Sequence, residues 1–202
     1  MKILIIKYLP SASKSNTAQL LNHFKQGVKT YTIEEVDLIK NPPPFFNEAS
    51  MDAYKSRNFG GQKLDSVQSV AISPMDKLTI QFKSADLIVM AFPMHNFSLP
   101  GIIKTYFDAI MQKEQVFRYE GSKSVGLMTN KKFLALYTCM GGYSGEYGYM
   151  DNVRSLLKIE LDFMGFKEYE IINATTGRID TRDVYISGAK ENITKVLSRW
   201  RI

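Results

Sequence analysis

The run Asp86-Leu87-Ile88-Val89-Met90-Ala91-Phe92, stopped by Pro93, constrains the fold more than any other stretch of this chain. It shows no alternation of polar and apolar residues. A strand with that pattern is buried on both faces, as in a parallel sheet covered by helices. Ile3-Leu4-Ile5-Ile6, bracketed by Lys2 and Lys7, repeats the pattern near the start, and residues 133–138 repeat it later. Between these runs apolar residues recur at helical spacing. Ala18, Leu21, Phe24 and Val28 predict a helix over residues 16–29. Met75, Leu78 and Phe82 predict one over 73–83, and Ile103, Tyr106, Phe107 and Ile110 one over 100–113. A further helix is expected over 149–164, and the last puts Ile193, Val196, Leu197 and Trp200 on one face. Residues 31–38 read as a strand weakened by Glu34 and Glu35, and 169–174 as the last strand. Phe117-Arg118-Tyr119 and Val125-Gly126-Leu127 flank Glu120-Gly121-Ser122 as a small hairpin. Pro42-Pro43-Pro44 is loop, and the polar stretch 48–66 has no legible period. Strand and helix alternate throughout, which predicts one doubly wound α/β domain over residues 1–202, a parallel sheet with helices on both faces.

Size and composition narrow the class. A chain of 202 residues buries enough surface, about 70% of what its unfolded form exposes, to fold without a staple. Cys139 is the single cysteine, which excludes an internal disulfide framework and a four-cysteine metal site. With only His23 and His95 as histidines, no metal site is expected. The net charge of +6 favours anionic partners. The basic residues are scattered, however, so they read as a solvated surface rather than a nucleic-acid footprint. No apolar stretch approaches the roughly 18 residues of a membrane span. The N-terminal run is too short for a signal-peptide core. A soluble cytoplasmic protein, with neither membrane nor nucleic acid as partner, is expected.

In sheets of this kind ligands bind at the carboxyl ends of the strands, where strand order reverses. The loop after the first strand, Pro10 to Thr17, is rich in hydroxyls and opens directly into a helix, whose N-terminus attracts phosphate. Ser13, Ser15, Asn16 and Thr17 offer donors and Lys14 offers charge. Neither a dinucleotide fingerprint nor a P-loop is present, so a phosphomonoester end fits better. Ser15 or Asn16 reads equally as a helix N-cap. After the third strand, Pro93-Met94-His95-Asn96-Phe97 gathers thioether, imidazole, amide and aromatic side chains, the rim a planar ligand needs. His95 is a candidate acid or an ordinary polar loop residue. After the fourth long strand, Cys139-Met140-Gly141-Gly142 begins a glycine-rich loop whose backbone N–H groups can approach a ligand. Cys139 lacks an activating base and reads as a small buried residue. Phe117-Arg118-Tyr119 is an aromatic wall or simply a hairpin with cross-strand aromatics. A phosphate site, an aromatic rim and a glycine cradle at one sheet edge suit flavin mononucleotide.

On Ser13-Lys14-Ser15-Asn16, Pro93-Met94-His95-Asn96-Phe97, Phe117-Arg118-Tyr119 with Gly126-Leu127 and Lys131-Lys132, Gly141-Gly142, and Asp162-Phe163-Met164-Gly165-Phe166, the chain resembles the FMN-dependent NADH-azoreductases, a branch of the flavodoxin-like quinone reductases. The resemblance runs over nearly the whole length. It departs at His95, commonly tyrosine in the family, at Cys139-Met140, commonly Ser-Arg, and at Tyr8, often serine. It implies a flavodoxin-like, doubly wound five-stranded parallel sheet of order 2-1-3-4-5, and a homodimer with active sites at the subunit interface. It implies FMN held by Ser13, Lys14, Ser15, Asn16, Pro93, Met94, His95, Asn96, Phe97, Cys139, Met140, Gly141 and Gly142. Phe97 and Tyr119 would face the substrate. The implied activity is two-step, two-electron reduction of quinones and azo compounds by NADH or NADPH through flavin N5, with no catalytic side chain required. The alternatives are a non-catalytic electron-transfer flavodoxin and a flavin-based redox sensor.

Overall fold

β1 (Lys2–Lys7) is an inner strand of the sheet, and its side chains divide the core in two. The computed structural model describes residues 1–143 and 145–202, with the backbone but not the side chain of Ser13. Ile3 and Ile5 pack on α1 (Asn16–Gly27), while Leu4 and Ile6 point to the opposite face. β2 (Thr32–Asp37) pairs with one side of β1. The stretch without a legible period forms α2 (Glu48–Tyr54), capped by Asn47, and runs on into a π-helical turn over Lys55–Phe59.

α3 (Ser66–Ser84) starts seven residues before the expected position. Asp65 accepts from the Gln68 N–H at 2.8 Å and Gln68 Oε1 accepts from the Asp65 N–H at 3.2 Å, a capping box ahead of Pro74. Pro74 therefore lies inside the helix rather than at its start. It leaves the Val70 carbonyl without its helical donor, at an exposed turn that water can serve. β3 (Leu87–Pro93) pairs with the other side of β1 in parallel. α4 (Gly101–Ile110) is shorter than its apolar pattern predicts. β4 (Phe117–Glu120) and β5 (Lys123–Gly126) form the expected antiparallel hairpin.

β6 (Lys132–Cys139) pairs with β3. A 3₁₀ turn over Gly145–Met150 occupies part of the helix expected at 149–164, and α5 (Asn152–Met164) begins after it. It ends at Gly165, whose φ of 88° and contact with the Gly126 backbone leave no room for a side chain. β7 (Glu168–Thr175) completes a parallel sheet of order β2-β1-β3-β6-β7, which is 2-1-3-4-5 when the separate hairpin is left out of the numbering. α6 (Ile179–Trp200) lies with α1 on one face, burying Ile193, Val196, Leu197 and Trp200 as the apolar spacing predicts. α3, α4 and α5 cover the other face.

Candidate functional site

β1, β3 and β6 are neighbours, so the loops leaving their carboxyl ends share one edge. Chain order reverses between β1 and β3, the position where such sheets open a crevice.

The loop after β1 is fixed by the Tyr8 N–H donating to the Ala91 carbonyl at 2.9 Å and by a short 3₁₀ turn over Ala12–Lys14. Ser15, buried, accepts from the Ala18 N–H at 3.2 Å and is the N-cap of α1. The cap uses the hydroxyl oxygen as acceptor and leaves its proton to donate elsewhere. Asn16 and Thr17, the first helical residues, have N–H groups with no intrahelical acceptor. Asn16 Oδ1 accepts from Gln19 Nε2 at 3.3 Å, which leaves the Asn16 NH₂ to donate. Lys14 is exposed. The Thr17 hydroxyl is not part of this donor set. It is fully buried and shares a 2.7 Å hydrogen bond with Thr138 Oγ1, tying α1 to β6. The Ser13 side chain lies outside the described residues.

The loop after β3 is a tight turn. The His95 N–H donates to the Ser98 carbonyl at 3.1 Å and the Ser98 N–H returns the bond to His95 at 2.9 Å. Between them Asn96 and Phe97 have φ of 44° and 67°, as a two-residue primed turn requires. Asparagine tolerates that region, whereas for phenylalanine it costs about 1–2 kcal/mol. Remote groups hold the strained residue in place. The Asn152 N–H at the start of α5 donates to the Phe97 carbonyl at 3.0 Å. The Phe97 ring stands edge-on to Tyr143 with centroids 5.9 Å apart. Below the turn, the Met94 N–H donates to the Thr138 carbonyl at 2.8 Å. The His95 ring stands edge-on to Tyr8 at 5.6 Å.

The loop after β6 turns the Cys139 thiol inward. It donates to the Gly141 carbonyl at 3.3 Å and lies 3.8 Å from Asn173 Nδ2. Burial pushes its pKa up, and the hydrogen bonds to Asn173 and Thr175 do not offset it, so it is a poor nucleophile. A Cβ on Gly141 would stand 2.7 Å from the Tyr143 ring, whereas one on Gly142 would meet nothing within 4 Å. The Gly141 and Gly142 N–H groups have no acceptor among the described residues. Tyr137, buried in β6, donates its hydroxyl to Asp151, and burial drives its pKa far above the ordinary tyrosine range. Asp151 also caps α5 through the Arg154 N–H at 3.1 Å.

Met94, His95, Asn96, Phe97, Met140 and Tyr143 line a cavity of about 440 Å³. The structure thus brings Met94, His95, Asn96 and Phe97 of one loop and Met140 of another into one wall, while Gly141 and Gly142 are not among its lining residues. The loop after β1 joins them through Tyr8 and Thr17 rather than by lining that cavity. Pro93 ends β3 beneath the turn, and Cys139 contributes no side chain to the lining. Tyr119 stands on the hairpin, edge-on to Phe117 at 5.7 Å, outside the lining. Tyr143 and Asn152 are not legible in the sequence as site residues, and Tyr8 is legible only as a departure from the serine common in the family. An aromatic directly after paired glycines is the one local signal for Tyr143. The parts present fit a ligand with an anionic end at the α1 N-terminus and a planar ring against Gly142, whose open face and unpartnered N–H admit it.

The fold has counterparts among known proteins. Residues 1–197 match a family model described as a flavodoxin-like fold. An FMN-dependent NADH:quinone oxidoreductase of Bacillus cereus is 30% identical, covering 98% of this chain and 97% of its own length. The enzyme of the same description from Azospirillum brasilense is 31% identical over 86% of each chain. An FMN-dependent NADH-azoreductase from Bacillus anthracis, solved in complex with FMN, superposes with a TM-score of 0.87 at 28% identity and 98% coverage of both chains. A second azoreductase structure from that organism gives a TM-score of 0.88 at 23% identity, covering 98% of this chain and 99% of its own, a likeness of fold.

Proposed function

The chain belongs to the flavodoxin-like family, in the branch of the FMN-dependent NADH:quinone oxidoreductases, and from that premise we propose that it is an FMN-dependent NAD(P)H oxidoreductase acting on quinones and azo compounds. Overall, NADH, one proton and a quinone become NAD⁺ and a hydroquinone. Bound FMN would supply the two-electron chemistry, taking hydride from NADH and passing it on through N5 in two successive half-reactions.

The chain's own residues bind and orient. The Asn16 and Thr17 N–H groups, the Ser15 hydroxyl and Lys14 hold the phosphate at the positive end of α1, with Ser13 beside them. Met94, Asn96 and Phe97 hold the ring. The Gly141 and Gly142 N–H groups donate to its carbonyl edge and stabilise negative charge there, as an oxyanion hole does. Phe97 faces the acceptor. The remaining proton comes from solvent or from His95, which lines the same cavity. Tyr119 stands outside that lining, so in this reading it serves an acceptor held by a partner subunit of a homodimer. The packing of helices on both sheet faces supports a doubly wound arrangement. Among the described residues no helix is long and apolar enough to cross a membrane; a cytoplasmic location is proposed with the enzyme reading.

The observation that carries the reading is the pair of glycine N–H groups with no acceptor among the described residues, beside a cavity walled by the strained Asn96-Phe97 turn. The test is a visible spectrum after incubation with FMN and desalting, followed by anaerobic NADH. Retained flavin that bleaches directly to the two-electron-reduced form supports the enzyme. Retained flavin that NADH does not bleach points to an electron carrier or sensor. No flavin on a folded protein sinks the site.

A further inference from the structure

We infer that the cavity selects uncharged planar aromatic acceptors over anionic ones of the same shape, with Met140 as the side chain that sets this preference. The inference rests on the oxidoreductase reading and adds to it the charge class of the second substrate.

Met94 and Asn96 hold the ring in that reading, which leaves His95, Phe97, Met140 and Tyr143 of the lining for the acceptor; no lysine, arginine, aspartate or glutamate is among the described lining residues. Met140 is 79% exposed and Phe97 43% exposed, so both stand at the mouth, where an acceptor enters. A thioether and an aromatic ring offer an uncharged ring dispersion and edge contacts. They offer nothing in place of the water that a sulfonate or carboxylate must shed, and burying an unpaired anion is strongly unfavourable.

The basic groups near this edge are engaged elsewhere. Arg178 follows Gly177, whose backbone lies against the Met140 carbonyl, but its guanidinium donates to Asp180 at 2.9 and 3.2 Å. Arg154 donates to the Ile171 carbonyl at 3.2 Å and to Asn173 at 3.4 Å. Arg118 pairs with Glu120 at 2.5 Å. Lys14 stands at the phosphate end in the reading above. The net charge of +6 draws anions from a distance, and salt screens that attraction. The cost inside the cavity is local and persists in salt. The two effects oppose each other and separate with ionic strength.

The test uses matched acceptors that differ by one sulfonate: dimethylaminoazobenzene against its sulfonated form, and a naphthoquinone against a naphthoquinone sulfonate. At moderate salt the FMN-loaded protein should favour the uncharged member of each pair by about tenfold or more in kcat/KM, equivalent to ~1.4 kcal/mol. Met140→Arg should narrow that ratio at least about threefold, and Met140→Leu should leave it in place. Equilibrium binding of naphthol and naphthalene sulfonate, followed by perturbation of the flavin spectrum without NADH, should show the same order. Met140→Lys serves as the second cation should the arginine variant lose FMN. Ratios near one that neither cation moves, in turnover and in binding, overturn the inference while leaving the enzyme reading intact. Absence of turnover with every acceptor sinks the enzyme reading instead, and the binding arm still decides the charge preference.

Discussion

The loop after β1 and the turn after β3 lie side by side, linked by the Tyr8 and His95 rings, yet they are built in opposite ways. The first draws on its own helix. Ser15 caps α1, and the exposed N–H groups are those any helix start leaves over. The second holds two residues at positive φ and depends on groups far along the chain: the Thr138 carbonyl, the Tyr143 ring and the Asn152 N–H. The anionic end of the site is therefore a local property of sequence, whereas the ring end is a tertiary construction that fails if α5 or β6 moves. Strain at Phe97 persists because its surroundings over-determine it, as happens at binding sites.

The strongest way to break this contrast is to cut the link between the two ends. Thr17→Val leaves the buried Thr138 hydroxyl unpaired and should cost about 1–3 kcal/mol in denaturant unfolding. Adding Thr138→Val removes both partners and should recover most of it. A single variant as stable as the parent would mean that the two ends are independent. Ser15→Ala should cost about 0.5–2 kcal/mol through the lost cap. It should also weaken FMN more than riboflavin; equal losses would make Ser15 a cap and nothing more. Tyr137→Phe removes the hydroxyl that holds Asp151, and with it the start of α5 beneath Phe97. It should cost about 0.5–1.5 kcal/mol, raise KM for the acceptor and leave discrimination between FMN and riboflavin unchanged. A change in that discrimination would show that the ends are not separable.

The same contrast explains what the sequence shows and what it conceals. The long strands are legible because burial on both faces writes continuous apolar runs into residues 3–6, 87–92 and 133–138. The anionic end is legible because helix caps and hydroxyls are local. Even there Thr17 misleads, since a hydroxyl in a polar loop reads the same whether it faces a ligand or, as here, Thr138. The start of α3 is hidden because Pro74 resembles a first helical residue, while Asp65 and Gln68 close the capping box well ahead of it. At the ring end, residue types are legible but geometry is not. Nothing local assigns positive φ to Phe97, and its anchor at Asn152 is separated from it by α4, the hairpin and the whole of β6.

The smallest effect concerns Cys139, at the buried base of the ring end. Its thiol donates to the Gly141 carbonyl, an acceptor that Thr175 Oγ1 also reaches at 3.4 Å, so Cys139→Ala should change stability little near neutrality. The pH dependence is more telling. Burial holds the thiol pKa in the folded chain above its ordinary value. The unfolded chain therefore ionises first as pH rises, binding fewer protons than the native state in that window. Stability from this group is complete below the ordinary thiol range and is lost as pH climbs through the folded-state value. The stability of the parent relative to Cys139→Ala should thus decline on the alkaline side, with no matching change on the acid side. Alkylation of the native protein at neutral pH should be slow for the same reason. A difference that stays flat through the alkaline range, or rapid alkylation, would place the thiol in water, and the Gly141 carbonyl would then lack the buried donor assigned to it.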